Sequence, residues 1–323
     1  MIKIGILGYG NLGRGAEKAL AGAPDMRLSV VFSRRGDLNI RTAGVKVEPF
    51  EKLDDYTGKL DVVICCGGSA TDLPLHTPLI AAKFNFVDSF DNHANIPAHF
   101  EKVDKIARSH GMAGVISAGW DPGLFSIMRL FGEAFLPFGA DYTFWGRGVS
   151  QGHSDAIRRI EGVARAVQYT MPSQIAIEAA LSGNQPQFTS REKHTRLCFV
   201  VIKDGADKER IRQEIITMPD YFAPYDVIVN FISVEEFEGS HLGMPHGGRV
   251  IRSGGTSESN NHTMEFKLKL DSNPEFTGSI LVACARAVYR LKAEGMVGAR
   301  TVLDIPPAYF SPKSAAQLYK ELL

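Results

Sequence analysis

The sequence predicts an α/β protein in two parts, a doubly wound parallel sheet followed by an α+β domain. Across the first 120 residues, short apolar runs alternate with helix-like stretches. Strand, crossover helix and strand repeated this way build a parallel sheet with helices on both faces. After residue 120 the runs lengthen, and His262 to Leu270 (HTMEFKLKL) alternates apolar and polar residues, the pattern of an antiparallel sheet with one wet face. The length, 323 residues, suits two domains at about 150 residues each.

The elements follow in order. Ile2 to Leu7 is an apolar run, then comes a glycine cluster and a helix-like stretch from about Asn11 to Ala21. Arg27 to Phe32 and Asp61 to Cys66 are further strand-like runs, the second leading into Gly67-Gly68-Ser69. Asn85 to Asp88 and Gly114 to Ser117 complete the set, with helix-like segments at Leu75–Lys83 and Pro97–Ser109 between them. These runs are nearly continuous in apolar residues, as strands buried on both sides are. In the second part, Tyr142–Trp145, Leu197–Ile202, Asp226–Val234 and His262–Leu270 read as strands, and Ser173–Leu181 and Lys208–Thr217 as helices. A last helix, about Phe276 to Glu294, begins after the start signal Asn273-Pro274. Its Leu281, Ala285, Val288 and Leu291 fall at helical spacing, so this C-terminal helix is expected to return to the first domain. The expected division is 1–120, with about 274–300 packing back on it, and 121–273.

Composition excludes several classes. The chain carries 36 Lys+Arg against 36 Asp+Glu, and a nucleic-acid binder would show a basic excess to displace counterions. At 44% hydrophobic and 22% charged it has material for a core and is too balanced for disorder. No apolar run approaches the roughly 18–20 residues that span a bilayer, and no basic or apolar leader precedes the first strand. A cytoplasmic protein with neither membrane nor nucleic-acid partners is expected. Cys65, Cys66, Cys198 and Cys284 form no C-x-x-C pair and read as small buried hydrophobes. His241 and His246 lack helical spacing and a third ligand, so no metal site is expected.

Gly8-Tyr9-Gly10-Asn11-Leu12-Gly13 follows a strand and opens a helix. In that position Gly8 permits the tight turn, Gly10 lets the backbone approach a pyrophosphate, and Gly13 lets helix and strand pack closely. The helix N-terminus then presents free N–H groups and its positive dipole end to the phosphates. This is the dinucleotide-binding arrangement of a Rossmann domain. The second strand ends Phe32-Ser33-Arg34-Arg35-Gly36, without the acid that grips a ribose 2′-hydroxyl in NAD-selective folds. Two guanidiniums and a hydroxyl suit a 2′-phosphate, whereas two ordinary solvated charges would be the plainer reading. NADP(H) is therefore expected over NAD(H).

Ligands of open parallel sheets bind beyond the carboxyl ends of the strands. Those ends carry Gly67-Gly68-Ser69-Ala70-Thr71, then Asp88-Ser89-Phe90-Asp91, then Gly119-Trp120-Asp121-Pro122-Gly123. One aspartate after a strand is usually a helix cap. Two, Asp91 and Asp121, at adjacent strand ends could hold an ammonium group where hydride leaves. A substrate with opposite charges at each end would need a carboxylate-binding arginine as well.

At this point GYGNLGRG, FSRR, CGGSATD, DSFDNH, SAGWDPG, FWGRGVSQGHSDA, AVQYTMPS, MPHGG and LDSNPEFT together resemble the meso-diaminopimelate dehydrogenase family. The likeness runs from the first strand to the final helix. GWDPG and GVSQGHSDA are far more specific than the glycine turn alone. The resemblance implies an NADP-dependent, reversible oxidative deamination of the D-centre of meso-2,6-diaminopimelate to L-2-amino-6-oxopimelate and ammonia. It implies that Asp91 and Asp121 face the reacting amino group, with Trp120 shaping the pocket and Trp145 lining the substrate cavity. The distal L-centre would be held by Thr170, Arg196, His246 and Asn273. Asn11, Leu12, Ser33, Arg34, Arg35, Ser69, Ala70 and Thr71 would contact the cofactor, alongside Gly8, Gly10, Gly13, Ser89, Asp91, Gly119 and Trp120 at the strand ends.

The chemistry suits these residue types. Hydride leaves most readily from a neutral amine, so a carboxylate or a water must take a proton from the ammonium. Arg196 could hold the far carboxylate with its planar fork, although alone in Glu192-Lys193-His194-Thr195-Arg196 it reads as a solvated charge. His246, in Met244-Pro245-His246-Gly247-Gly248, and His153 both read as loop residues. A homoserine- or saccharopine-type NADP-linked dehydrogenase, or a non-catalytic NADP(H) sensor, are the competing readings. Glycines 119, 146, 148 and 152 near the boundary suggest domain closure, and the one-sided sheet suggests a homodimer.

Overall fold

The computed structural model describes residues 1–257 and 259–323. The chain runs through β1 (Ile2–Leu7), α1 (Asn11–Ala21), β2 (Met26–Phe32), β3 (Lys46–Glu48), β4 (Val62–Cys65), α2 (Leu73–Ala81), β5 (Phe86–Asp88), α3 (Ile96–Ser109), β6 (Ala113–Val115) and α4 (Leu124–Phe135). It continues with β7 (Phe138–Trp145), β8 (Gly148–Val149), α5 (Gln151–Arg158), β9 (Val163–Pro172), α6 (Gln174–Leu181), α7 (Ser190–Lys193), β10 (His194–Ile202), α8 (Lys208–Ile216), β11 (Asp226–Phe231), α9 (Val234–Ser240), β12 (His246–Gly255) and β13 (Asn261–Leu270). Then α10 (Asn273–Ala293), β14 (Gly298–Arg300) and α11 (Ala315–Leu322) close it. Two compact units result, Met1–Ile127 with Pro274–Leu323, and Met128–Asn273.

The first unit is built on a seven-stranded sheet ordered β14-β6-β5-β4-β1-β2-β3. Every neighbouring pair is parallel. Side chains alternate between its faces with the period of two that strands impose. Ile4, Ile6, Val31, Val62 and Ile64 join one apolar cluster with Leu281, Ala285, Val288 and Leu291 of α10. Leu7, Val30, Phe32, Val63 and Cys65 join the other with Leu73 and Ile80 of α2 and Val103 of α3. Each such side chain contributes about 1.5–3 kcal/mol on burial. The double coverage explains why these runs carry no polar alternation. Strand order reverses between β1 and β4, where Leu7 lies opposite Cys65, and ligand crevices open at such switch points.

Helix α10 reaches α1 through two glycines. A Cβ on Gly278 would lie 2.4 Å from the Ala16 nitrogen, and one on Gly15 would lie 2.3 Å from the Pro274 carbonyl oxygen. Any larger residue would push the backbones apart. Arg286, 5% exposed, then donates to both oxygens of Asp25, at 2.6 and 2.7 Å, and to the Phe310 carbonyl at 2.8 Å. Those bonds from Arg286 hold the Asp25 carboxyl below the usual range.

The second unit contains a four-stranded sheet, β11-β10-β9-β8, and a three-stranded antiparallel one, β13-β12-β7. In the first, β9 and β10 are antiparallel and β10 and β11 parallel. Its core gathers Ile157, Cys198, Val200, Ile211, Ile215 and Phe222. The structure departs from the sequence reading in several places. HTMEFKLKL forms the expected antiparallel strand, but the wet-face alternation holds only in its second half, where Phe266 and Leu268 are half-buried, Leu270 buried and Lys267 and Lys269 exposed, whereas His262 to Glu265 are all exposed. MPHGG is not a loop throughout, since His246 opens β12. His153 lies on helix α5 rather than in a loop. The four cysteines are buried and free. Among the described residues no helix is long and apolar enough to cross a membrane.

Candidate active site

In the first unit the glycine turn sits at the strand-order reversal. Gly8 donates to the Phe32 carbonyl and Cys66 to the Leu7 carbonyl, at 2.9 and 2.7 Å, so the ends of β1, β2 and β4 are tied together. Gly8 has a φ of +91°, and a Cβ there would meet Cys66 backbone atoms at 3.2 Å. A Cβ on Gly13 would lie 2.2 Å from the Gly8 carbonyl oxygen, so helix packing demands that glycine. Gly10 differs, because a Cβ there would meet nothing within 4 Å. Among the described residues no contact accounts for that glycine, whereas a closely approaching pyrophosphate would. On this test the turn fits a dinucleotide.

At the end of β2, the Ser33 hydroxyl accepts from the Arg35 amide at 3.0 Å, and the Arg35 guanidinium donates to the Tyr9 carbonyl at 2.9 Å. The Arg34 side chain is 83% exposed and lies 3.6 Å from Asp72. Asp72 also accepts from the Gly68 amide at 3.0 Å, so the FSRR and GGSATD segments meet. The hydroxyl of Tyr9 donates to Glu17 of α1, which also accepts from the amide and hydroxyl of Thr42 at 2.7 and 2.8 Å. Burial and the bond to Glu17 push the Tyr9 phenol up to about 12. For Glu17, burial works against ionisation, but the bonds from Tyr9 and Thr42 prevail and hold the carboxyl below its ordinary value. This lock between the glycine turn and the segment after β2 was invisible in the sequence.

Of the other strand ends, Ser69 is tied to the β5 loop: its hydroxyl donates to the Ser89 carbonyl at 3.4 Å and accepts from the Asp91 amide at 3.1 Å. The Asp91 side chain belongs to an exposed residue. Trp120 is 8% exposed and packs edge-on against Phe125, ring centroids 5.2 Å apart. Asp121, half-buried, precedes a cis peptide to Pro122. Gly123 at φ +131° would bring a Cβ to 1.7 Å from the Gly119 oxygen, so this turn is closed around glycine.

In the second unit the sheet register places Arg196 of β10 opposite Thr170 of β9. The sequence reading of Arg196 as a solvated charge does not hold: it is 6% exposed. One terminal nitrogen donates to the Thr170 hydroxyl and the guanidinium lies over Tyr225, 3.8 Å from the ring centroid. Its Nε has no partner, and among the described residues no carboxylate pairs with it. Burial lowers its affinity for the proton. A buried guanidinium without an acid is costly unless an anion arrives.

Burial and Arg196 hold two neighbouring histidines toward the neutral form. His153 meets the Ser150 hydroxyl through Nδ1 at 2.7 Å, its Nε2 is without a partner, and burial with the nearby Arg196 lowers its pKa to about 4. His194 accepts from the Trp145 amide at 2.9 Å and stacks on the Trp145 ring, 5.4 Å between centroids. Burial and then Arg196 depress its pKa to about 3. His246 is half-buried and its Nδ1 accepts from the Gly247 amide at 2.8 Å. Asn273 donates its amide to the Met244 carbonyl at 2.9 Å. Thus Trp145 and His194 form one pair, and Thr170, Arg196, Tyr225 and His153 one cluster. Among the described residues no group of three His, Cys, Asp or Glu side chains could hold a metal.

Residues 119–272 match the family model described as the diaminopimelic acid dehydrogenase C-terminal domain. The meso-diaminopimelate D-dehydrogenase of Acetivibrio thermocellus is 56% identical, over 100% of this chain and 98% of its own. The crystal structure of the Corynebacterium glutamicum DAP dehydrogenase in complex with DAP superposes with a TM-score of 0.94 at 46% identity, covering 100% of this chain and 99% of that one. An engineered D-amino acid dehydrogenase bound to NADP+ gives 0.89 at 45% identity, with coverage of 100% and 99%.

Proposed function

The chain belongs to the meso-diaminopimelate D-dehydrogenase family, and from that premise we infer that it catalyses the reversible, NADP-dependent oxidative deamination of the D-centre of meso-2,6-diaminopimelate, releasing ammonia and L-2-amino-6-oxopimelate. The observation that carries the reading is the buried Arg196, whose unpartnered Nε and missing acid call for a carboxylate from outside the chain.

Bound NADP+ supplies the hydride acceptor. The glycine turn would hold the pyrophosphate, with Asn11 and Leu12 at the helix start. Ser33, Arg34 and Arg35 would take the 2′-phosphate, and Ser69, Ala70, Thr71, Ser89, Gly119 and Trp120 would border the rest. Asp91 and Asp121 would orient the substrate ammonium and accept its proton, directly or through a water, so that a neutral amine presents the D-carbon. The same carboxylates are suited to orient the water that releases ammonia. Arg196 and Thr170 would hold the distal carboxylate, with Trp145, His246 and Asn273 around the L-centre. Fixing that end selects which carbon reacts, and positioning of this kind is a large part of catalysis.

Two accessory assignments accompany this. The exposed edge of β13 supports self-association as a homodimer, since unpaired edges invite a second strand. Four buried free thiols suit a reducing cytoplasm.

The test is initial-rate NADPH formation with meso-, LL- and DD-diaminopimelate, each repeated with NAD+. Turnover of the meso isomer with NADP+, and none of the LL isomer, is expected. Asp121→Asn should lower turnover by about tenfold or more with NADP+ affinity unchanged. Wild-type turnover in that variant would remove Asp121 from the mechanism.

A further inference from the structure

Asp88 lies at the end of β5 and is fully buried, and the facing His99 of α3 is buried at 6% exposure. The His99 Nε2 meets Asp88 Oδ2 at 2.7 Å, and Phe90 stacks on the imidazole with ring centroids 4.2 Å apart. The other carboxylate oxygen, Oδ1, accepts two backbone amides: Phe90 at 3.1 Å and Ser117 at 2.8 Å. The Asp88 carbonyl accepts a further amide, from Ala118, at 2.9 Å. Ser117 has a φ of +55°, a left-handed conformation that costs a non-glycine residue about 1 kcal/mol or more and persists where surrounding bonds enforce it.

Those amides belong to two different loops. Phe90 directly precedes Asp91 on the loop after β5, and Ser117 and Ala118 lead into Trp120-Asp121 on the loop after β6. The ladder between these strands ends at Val87 opposite Val115, and beyond it the backbone bond from Ala118 to the Asp88 carbonyl joins the two segments. The Asp88 carboxylate adds a side-chain clamp to that bond, because one oxygen atom grips both loops and the other is anchored to α3. A carboxylate is the group that serves here, since all three of its polar neighbours can act as donors and it offers acceptors only.

We propose that Asp88 and His99 are positioning residues that set the separation of the two loops carrying Asp91 and Asp121, and thereby the placement of those carboxylates at the reacting amino group. The proposal rests on the role assigned above to Asp91 and Asp121. His99 enters by holding Asp88 in the rotamer that spans the loops. Neither residue touches substrate. Errors of about 1 Å in such placement can cost on the order of a hundredfold in rate, while the glycine turn and the arginines of the cofactor end are untouched.

The experiment compares His99→Phe, which removes the donor, with His99→Gln, which keeps one, and runs Asp121→Asn beside them. Turnover and KM for meso-diaminopimelate are measured, together with the dissociation constant of NADP+ by fluorescence quenching and the melting temperature. His99→Phe should lose about tenfold or more in kcat with a markedly smaller loss of NADP+ affinity, since Ser89, Gly119 and Trp120 on these loops only border the cofactor that the glycine turn and arginines hold, and His99→Gln should recover to within about threefold of wild type. If His99→Phe does not fold, Asp88→Asn takes its place, with the same split expected. Normal kcat in the variant without the donor, or loss of NADP+ binding in step with kcat, overturns the proposal. So does wild-type turnover by Asp121→Asn, which removes its premise and is recognised independently of His99.

Discussion

The Arg196 guanidinium lies over the ring of Tyr225, 3.8 Å from its centroid, while its Nε remains unpartnered. On the proposed role of Arg196, this arrangement favours recognition over stability. Arg196→Leu should therefore raise KM for meso-diaminopimelate by roughly 10–100-fold, the value of about 1.5–3 kcal/mol for a charge-assisted bond. It should leave the melting temperature unchanged or higher, because a buried ion without its counterion is removed. A variant that melts well below wild type with an unchanged KM would show that Arg196 is a structural group.

Two of the three glycines of the dinucleotide turn, Gly10 and Gly13, should separate binding from folding. Gly13→Ala forces a Cβ to within 2.2 Å of the Gly8 oxygen and should lower stability by a few kcal/mol, on the scale of about 1–3 kcal/mol for overpacking. Gly10→Ala meets no protein atom within 4 Å, so its melting temperature should match wild type while NADP+ affinity falls about tenfold or more. Thermal unfolding beside cofactor titration distinguishes the two, and equal destabilisation would contradict this account of Gly10.

Cofactor choice is expected to reside in Arg34 and Arg35. Replacing both with alanine should weaken NADPH binding by about 100-fold or more, from two charge-assisted contacts, and NADH binding by far less. Added salt should erode the wild-type preference, because Arg34 is exposed and its attraction is screened. Parallel losses for both cofactors would dismiss the assignment.

The pH dependence of stability has a worked sign. His153 and His194 have folded values near 4 and near 3, below the ordinary 6.5. Between the folded and unfolded values the unfolded chain binds more protons, so stability rises with pH there. The contribution is complete above about pH 6.5 and is lost as pH falls toward 4 and then 3. Melting temperatures from pH 7 down to 4.5 should fall more steeply for wild type than for a His153→Asn/His194→Asn double variant. Identical slopes would show that these imidazoles are accessible to solvent.

The first unit was legible because its signals are local. The glycine turn, FSRR and the apolar runs each depend on residues within one strand–helix unit, and Ile4, Ile64 and Val87 show no alternation because both faces of their sheet are covered. Arg196 misled as a solvated charge, since its burial comes from β9, twenty-six residues upstream in contact, and from Tyr225. The glycines beside His246 suggested a loop. A Cβ on Gly247 would lie 2.3 Å from the Leu268 oxygen, so that glycine serves close strand pairing instead. Asp88 passed unnoticed because its partners, His99 and Ser117, are distant in sequence, and an aspartate ending an apolar run carries no sign of burial. The family resemblance supplied what patterns could not, from motifs too long to arise from folding requirements alone.

With Gly278 seated against Ala16, the cofactor-binding unit is completed by residues synthesised after the whole of Met128–Asn273. All strands of Met128–Asn273 emerge while Ile4, Ile64 and their neighbours still lack the cover of α10. At roughly 5–20 residues per second, translation of the intervening segment leaves that apolar sheet face bare for on the order of ten seconds. Until α10 has been made, the segment Met128–Asn273 is synthesised beside an apolar sheet face that its own unit has not yet covered.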